Sequence, residues 1–167
     1  MITRKIRIKL LTEGCEPVVH ENGNAYDLVS AQTIALHQPS VDGDKCSFEA
    51  QLIPLGLAME LPKGCIANVR PRSSTYKKWG VLMANSVGLI DETYCGDSDE
   101  WKMSVIAFKD ATIQKGDRIC QFEIRPAQTA TFWQKFLWLI TDKYEFVAVE
   151  SLNHDARGGF GEGTDKK

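Results

Sequence analysis

The chain has 167 residues, of which 43 % are hydrophobic and 25 % charged, and its net charge is −2. That length suits one domain with a substantial core, and the slightly acidic balance excludes a sequence-independent nucleic-acid binder, which needs a basic face. A small anionic ligand remains within reach, because a few placed arginines can hold one.

The first predicted element is a strand. KIRIKL (5–10) alternates strictly, with Ile6, Ile8 and Leu10 on one face and Lys5, Arg7 and Lys9 on the other, the pattern of a half-buried strand. Short apolar runs then recur in chain order: CSFEAQLIPLGLAMEL (46–61), GCIANVRP (64–71), GVLMANSVGLID (80–91), KMSVIAF (102–108), ATIQKGDRICQFEI (111–124) and YEFVAVESL (144–152). Glycines and prolines, among them Pro54, Pro62, Gly64, Pro71, Gly80, Gly88, Gly96, Gly116 and Pro126, punctuate them. Many short strands with such turns predict an all-β sandwich, jelly roll or barrel.

Two segments depart from this. PRSSTYKKWG (71–80) fits a helix of two turns at most, with Ser73 or Ser74 as N-cap and Gly80 as the stop. In TFWQKFLWLITDK (131–143), Phe132, Trp133, Phe136, Leu137 and Ile140 form one helical stripe, and Trp138 and Leu139 fall off it. A buried strand pair is the alternative for that segment. From Asn153 onward the chain turns to glycine, charge and polar residues, so the folded body is expected over residues 1–152 and a flexible glycine-rich arm over 153–167. RGGFGEGT (157–164) places Arg157 and Phe160 in that arm. It reads either as a frayed end or as an arm closing over something flat and negatively charged.

Five cysteines, Cys15, Cys46, Cys65, Cys95 and Cys120, are widely spaced with no CxxC, and His20, His37 and His154 are isolated. Reduced thiols in a cytoplasmic protein are expected, without a zinc site or disulfide framework. MITRKIRIKL begins with charge alternation, not the apolar run of a signal peptide.

Four stretches could carry chemistry. PRSST (71–75) offers a helix start, the Arg72 fork and the Ser73 hydroxyl to a phosphate; the plain alternative is a capped turn with a surface arginine. GLIDETYCGD (88–97) sets Asp91 after an apolar strand and Tyr94 three residues on, a carboxylate able to deprotonate water beside a ring; the alternative is a hairpin whose Asp caps a turn. KGDRICQFEI (115–124) feeds a Gly-Asp turn into a strand of mixed polarity in which Gln121 could touch a phosphate oxygen. NAYDL (24–28) puts Asp27 after a Gly23-Asn24 turn, where it caps the turn or holds water on a magnesium ion.

In this order and at these separations, NAYDL, PRSS, NSVGLIDETYCG, KGDRICQ and RGGFG resemble the five motifs of the homotrimeric deoxyuridine triphosphatases (dUTPases). MELPKG followed by VRPRSSTYKKWGV is similar to the phage and Gram-positive bacterial branch. The resemblance covers nearly the whole chain, from Asp27 to Thr164. It implies a jelly-roll-like β barrel, a homotrimer with shared active sites, and Mg2+-dependent hydrolysis of dUTP to dUMP and pyrophosphate. Asp91 would be catalytic, activating the water that attacks the α-phosphate in line. Arg72, Ser73, Ser74 and Gln121, with Arg118, would hold the phosphates. The hairpin from Gly88 through Leu89 and Ile90 to Met103, with Asn85 nearby, would read the uracil, and Tyr94 would exclude a 2′-hydroxyl. Arg157, Phe160 and Gly161 would act from the arm, with Phe160 on the uracil face and Arg157 on the terminal phosphate. Asp27 would sit in the outer shell of the magnesium ion, acting through water.

Departures from the family pattern are local. Asn24 and Ala25 replace Ala-Gly in the first motif, Lys115 and Cys120 replace proline and alanine in the fourth, and Arg157 stands two residues closer to Phe160 than usual. Glu162 replaces a serine and would repel a triphosphate unless it points away. The stretch 131–141 is an insertion relative to shorter members, either extra packing or a protein-binding element, since some phage members act on regulators as well as nucleotides. The related dCTP deaminases share the fold, but WKMSVIAF (101–108) lacks their strand glutamate and Lys77 replaces their arginine.

Overall fold

The computed structural model describes residues 2–20 and 23–159. The chain runs through β1 (Ile2–Leu10), β2 (Tyr26–Val29), β3 (Ile34–Leu36), β4 (Ser40–Asp42), β5 (Lys45–Ser47), β6 (Gln51–Pro54), β7 (Leu57–Met59) and β8 (Cys65–Pro71). After helix α1 (Thr75–Trp79) come β9 (Val81–Met83), β10 (Gly88–Asp91), β11 (Lys102–Ala107), β12 (Ala111–Ile113) and β13 (Arg118–Pro126). Helix α2 (Phe132–Leu139) then leads directly into β14 (Thr141–Ala148). The all-β expectation holds. The short strands between residues 26 and 42 carry no clear alternation, so the sequence pattern does not mark them.

Three sheets enclose the core, in the orders β14-β1-β7, β10-β8-β13-β2 and β6-β11-β9, with two small pairs, β12-β3 and β4-β5. In β1 the alternation does what its pattern predicts, with Ile6 and Ile8 buried. Its partner β14 runs parallel to it, Ile6 opposite Phe146, so the two ends of the folded body close on each other. Trp101 and Phe122 cross edge to face, with centroids 5.3 Å apart, at the centre of the core.

The mixed polarity of RICQFEI has a definite cause. The register of β13 against β2 shifts between Arg118 and Cys120. A bulge there lets the neighbours Ile119 and Cys120 both bury, after which Phe122 and Ile124 continue the buried face.

Gly80 ends α1 as expected, in the left-handed conformation (φ 67°), and its N–H donates to the Tyr76 carbonyl. The N-terminal expectation is corrected: Ser74 is the cap residue but its side chain makes no capping bond. Thr75 holds the turn instead. Its buried hydroxyl accepts from the Arg72 N–H at 3.0 Å and donates to the Ile119 carbonyl at 2.8 Å.

Helix α2 exists, started by a Thr131–Gln134 capping box, but the expected stripe faces outward. Phe132 and Trp133 are 72 % and 69 % exposed, and no α2 residue is fully buried. Trp138, read as lying off the stripe, packs on the core and donates its indole N–H to the Ile124 carbonyl at 2.9 Å. The strands at its two ends, β13 and β14, set which side of this short helix turns inward.

Candidate functional site

Strand β10 delivers Asp91 to the end of the four-stranded sheet, opposite Ile66 at the start of β8. The next residues fold back on it: the N–H and hydroxyl of Thr93 donate to Asp91 Oδ1 at 2.9 and 2.6 Å. Arg157 Nη1 donates to both carboxylate oxygens, at 2.7 and 2.6 Å. Partial burial pushes the Asp91 carboxyl upward, but the bonds from Thr93 and Arg157 outweigh it and hold the group below its ordinary range. Asp91 is therefore ionised at neutral pH. Tyr94 beside it is half-buried against the core, its hydroxyl donating to the Glu100 carbonyl at 3.0 Å, which fixes the ring.

Arg157 reaches Asp91 because the root of the arm docks on the same hairpin. Buried Asp99 accepts the N–H groups of Gly96 at 2.8 Å, Arg157 at 3.0 Å and Gly158 at 3.2 Å. Asp97 accepts the Ser151 hydroxyl and the Leu152 N–H, both at 2.6 Å, and these bonds hold its carboxyl low. Phe160, Gly161 and Glu162 lie outside the described residues.

A cationic group assembles at the other end of the sheet. Asp27 on β2 is 3 % exposed. Its Oδ2 meets Arg72 Nε at 3.0 Å, His20 Nε2 at 3.0 Å and Arg118 Nη1 at 3.5 Å. Gln121 lies between Asp27 and Arg70 in the sheet register and donates to the Pro71 carbonyl at 3.3 Å. Ser73 and Ser74 expose their hydroxyls at the adjoining turn. The two groups do not meet within one chain. Ile66, opposite Asp91, and Arg72 are six residues apart along β8 and just past its end, roughly 20 Å at strand rise.

The proposed base-reading residues divide as a strand requires. Leu89 is exposed and Ile90 buried. Asn85 sits in the turn before β10, with its amide nitrogen 3.8 Å from where a Cβ on Gly88 would stand. Met103 is fully buried, so its side chain belongs to the core. Thr75, Thr93, Asp97, Asp99 and His20 went unassigned in the sequence. Asp97 and Asp99 are spaced as any hydrophilic loop might space them, and His20 carries no local motif.

No group of three or more metal-ligating side chains occurs among the described residues, and Asp27 already faces three cationic or ionisable groups. This donor set does not build an inner-sphere cage. It fits a Mg2+ ion that arrives on a triphosphate and keeps part of its water shell. All five cysteines are free thiols, Cys15, Cys65 and Cys120 buried. No helix among the described residues is long and apolar enough to cross a membrane.

The dUTPase family profile matches residues 20–135. The SPbeta prophage-derived deoxyuridine 5'-triphosphate nucleotidohydrolase YosS of Bacillus subtilis is 40 % identical over 158 residues, covering 94 % of this chain and 96 % of that protein. The deoxyuridine 5'-triphosphate nucleotidohydrolase of Rickettsia prowazekii is 36 % identical over 145 residues, 84 % of this chain and 82 % of the relative. Among solved structures, dUTPase from Streptococcus mutans superposes with a TM-score of 0.63 at 21 % identity, over 74 % of this chain and 98 % of that one. The Staphylococcus bacteriophage 80alpha dUTPase gives 0.61 at 21 % identity, over 76 % and 93 %. The structural likeness establishes the jelly-roll β fold and the sequence likeness the family: this chain belongs to the dUTPases.

Proposed function

We propose that the chain hydrolyses dUTP to dUMP and pyrophosphate, in sites shared between copies of a homotrimer. The observation that carries the reading is Asp91: a carboxylate held ionised by Thr93 and Arg157, beside a tyrosine ring whose position is fixed. An ionised, oriented carboxylate can take a proton from water. The resulting hydroxide attacks the α-phosphorus as the bond to the bridging oxygen breaks, and pyrophosphate leaves with that oxygen. Tyr94 fills the space beside the sugar and disfavours a ribose 2′-hydroxyl. The backbone of the Gly88–Met103 hairpin, with Asn85, pairs with the polar edge of uracil, and a mismatched base would leave buried polar groups unpaired.

The phosphates belong to the cationic end. Arg72 and Arg118 neutralise charge, Gln121 and the Ser73 and Ser74 hydroxyls add neutral donors, and Asp27 keeps the arginines in register. Asp27 is also the group to hold water on a magnesium ion carried by the triphosphate. When bound, that ion neutralises phosphate charge and orients the chain of phosphates. The separation of roughly 20 Å along β8 supports sharing: the Asp91 end of one chain must meet the Arg72 end of another. A cytoplasmic nucleotide pool and reduced thiols are mutually consistent.

A panel of dUTP, dCTP, dTTP and UTP, with and without Mg2+, tests this. Pyrophosphate should be released from dUTP with strong preference and should depend on Mg2+. Ammonia from dCTP, or equal turnover of UTP, would overturn it.

A further inference from the structure

We propose that Glu92 is a positioning residue for Asp91: its carboxylate ties the hairpin carrying Asp91 to the backbone of Gly64, and so fixes where the Asp91 carboxylate stands. The proposal rests on the dUTPase reading for what Asp91 does, and on geometry for the tie. Strand β10 is the outer strand of its sheet, and its ladder with β8 ends at Asp91, opposite Ile66. Beyond that pair the chain turns, and the bonds that shape the turn close within it. The Thr93 N–H and hydroxyl donate to Asp91 Oδ1, and the Tyr94 N–H donates to the Asp91 carbonyl at 3.1 Å. Such bonds set the form of the turn without fastening it to β8.

Glu92 supplies that fastening. It is half-buried, and its Oε2 accepts the Gly64 N–H. Gly64 is itself held firmly. It stands just before β8 in the left-handed conformation (φ 75°) that favours glycine, and its carbonyl accepts the Ala127 N–H at 2.8 Å, just past the end of β13. The N–H of the next residue, Cys65, closes the turn on the Pro62 carbonyl at 2.9 Å. The Asp91 hairpin, the start of β8 and the end of β13 therefore meet at Gly64. A carboxylate is a stronger acceptor for a backbone N–H than a neutral group, which suits a bond that holds one strand end against two others. Glu92 acts through Asp91, not on the substrate. A general base displaced by about 1 Å can lose roughly a hundredfold in rate, so the tie bears on catalysis although its own oxygen rests on the backbone.

Two variants of the full chain test this. Glu92→Gln keeps a carbonyl oxygen able to accept the Gly64 N–H, and Glu92→Ala does not. Glu92→Ala should lower kcat on dUTP about tenfold to a hundredfold, with KM and the affinity for a non-hydrolysable dUTP analogue changed less than about threefold. Glu92→Gln should recover kcat to within about threefold of the wild type. A normal kcat in Glu92→Ala overturns the proposal. So does a Glu92→Gln as slow as Glu92→Ala, because charge and not the tie would then be needed. A loss of analogue binding that matches the loss of kcat would assign Glu92 to the substrate and overturns it as well. Hydrogen exchange reads the tie with no reaction at all. The Gly64 amide should be protected in the wild type and in Glu92→Gln, and should exchange about tenfold faster in Glu92→Ala; equal exchange in Glu92→Ala and the wild type overturns the tie. The wild type in the same assay keeps the two readings apart: its inactivity on dUTP would sink the dUTPase assignment, while exchange at Gly64 would still decide the tie.

Discussion

Arg157 places one guanidinium nitrogen 2.7 and 2.6 Å from the two carboxylate oxygens of Asp91, across 66 residues of sequence. Together with Thr93 it keeps that carboxyl low against the upward push of partial burial. The pH dependence of kcat/KM reports groups of the free enzyme. Its acid limb should therefore lie below the ordinary carboxylate range in the wild type. Removing a donor to the ionised form raises the pKa, so Thr93→Val and Arg157→Ala should each move the limb to higher pH. An unmoved limb in both variants would show that Asp91 does not set it.

Loss of the base itself should be severe. Asp91→Asn keeps the size and loses the proton acceptor, and pyrophosphate release from dUTP should fall ~10²–10⁴-fold, the range of a general base. Binding of a non-hydrolysable dUTP analogue, measured by calorimetry, should change far less.

Thr75 is the buried tie between the phosphate-side turn and β13. Thr75→Val strands the Arg72 N–H and the Ile119 carbonyl, and each buried unpaired group costs about 1–3 kcal/mol. Thermal unfolding should occur several degrees lower. Thr75→Ser, which keeps the hydroxyl, should recover most of the loss.

Helix α2 gives a paired contrast. Phe132→Ala removes an exposed ring and should alter stability by no more than about 0.5 kcal/mol. Trp138→Ala removes a packed indole and its bond to Ile124, and should cost about 2–4 kcal/mol. Denaturant midpoints of the two variants decide it; equal effects would contradict the packing.

Asp97 links the end of the barrel to the hairpin, and its carboxyl is held low by the Ser151 hydroxyl and the Leu152 N–H. A depressed folded pKa adds stability that is present above the ordinary carboxylate value, about 4, and is lost as the pH falls through the folded value. Acidification from neutral pH should therefore lower the unfolding temperature more in the wild type than in Asp97→Asn.

Much of this was legible in the sequence, because it is local chemistry. Alternation in KIRIKL, the Gly80 stop, the helical period of 132–140 and the five ordered motifs depend on residues close in the chain, where period and turn chemistry act. Asp91, Tyr94, Arg72, Gln121 and Asp27 could be proposed because the ordered motifs that hold them resemble those of the dUTPases. What Asp97 and Asp99 bind at residues 151–158 could not be read, since those partners lie 54 to 59 residues away and short acidic loop residues look alike until packing buries one. The outward turn of Phe132 and Trp133 and the inward turn of Trp138 were likewise decided by where β13 and β14 hold the helix ends, not by helical period. The separation of Asp91 from Arg72 along β8 is tertiary too. Sequence order was enough to propose which groups take part in the chemistry; only the register of antiparallel strands decided that one chain holds Asp91 and Arg72 at opposite ends of a sheet, and that Arg157 returns to the hairpin carrying Asp91.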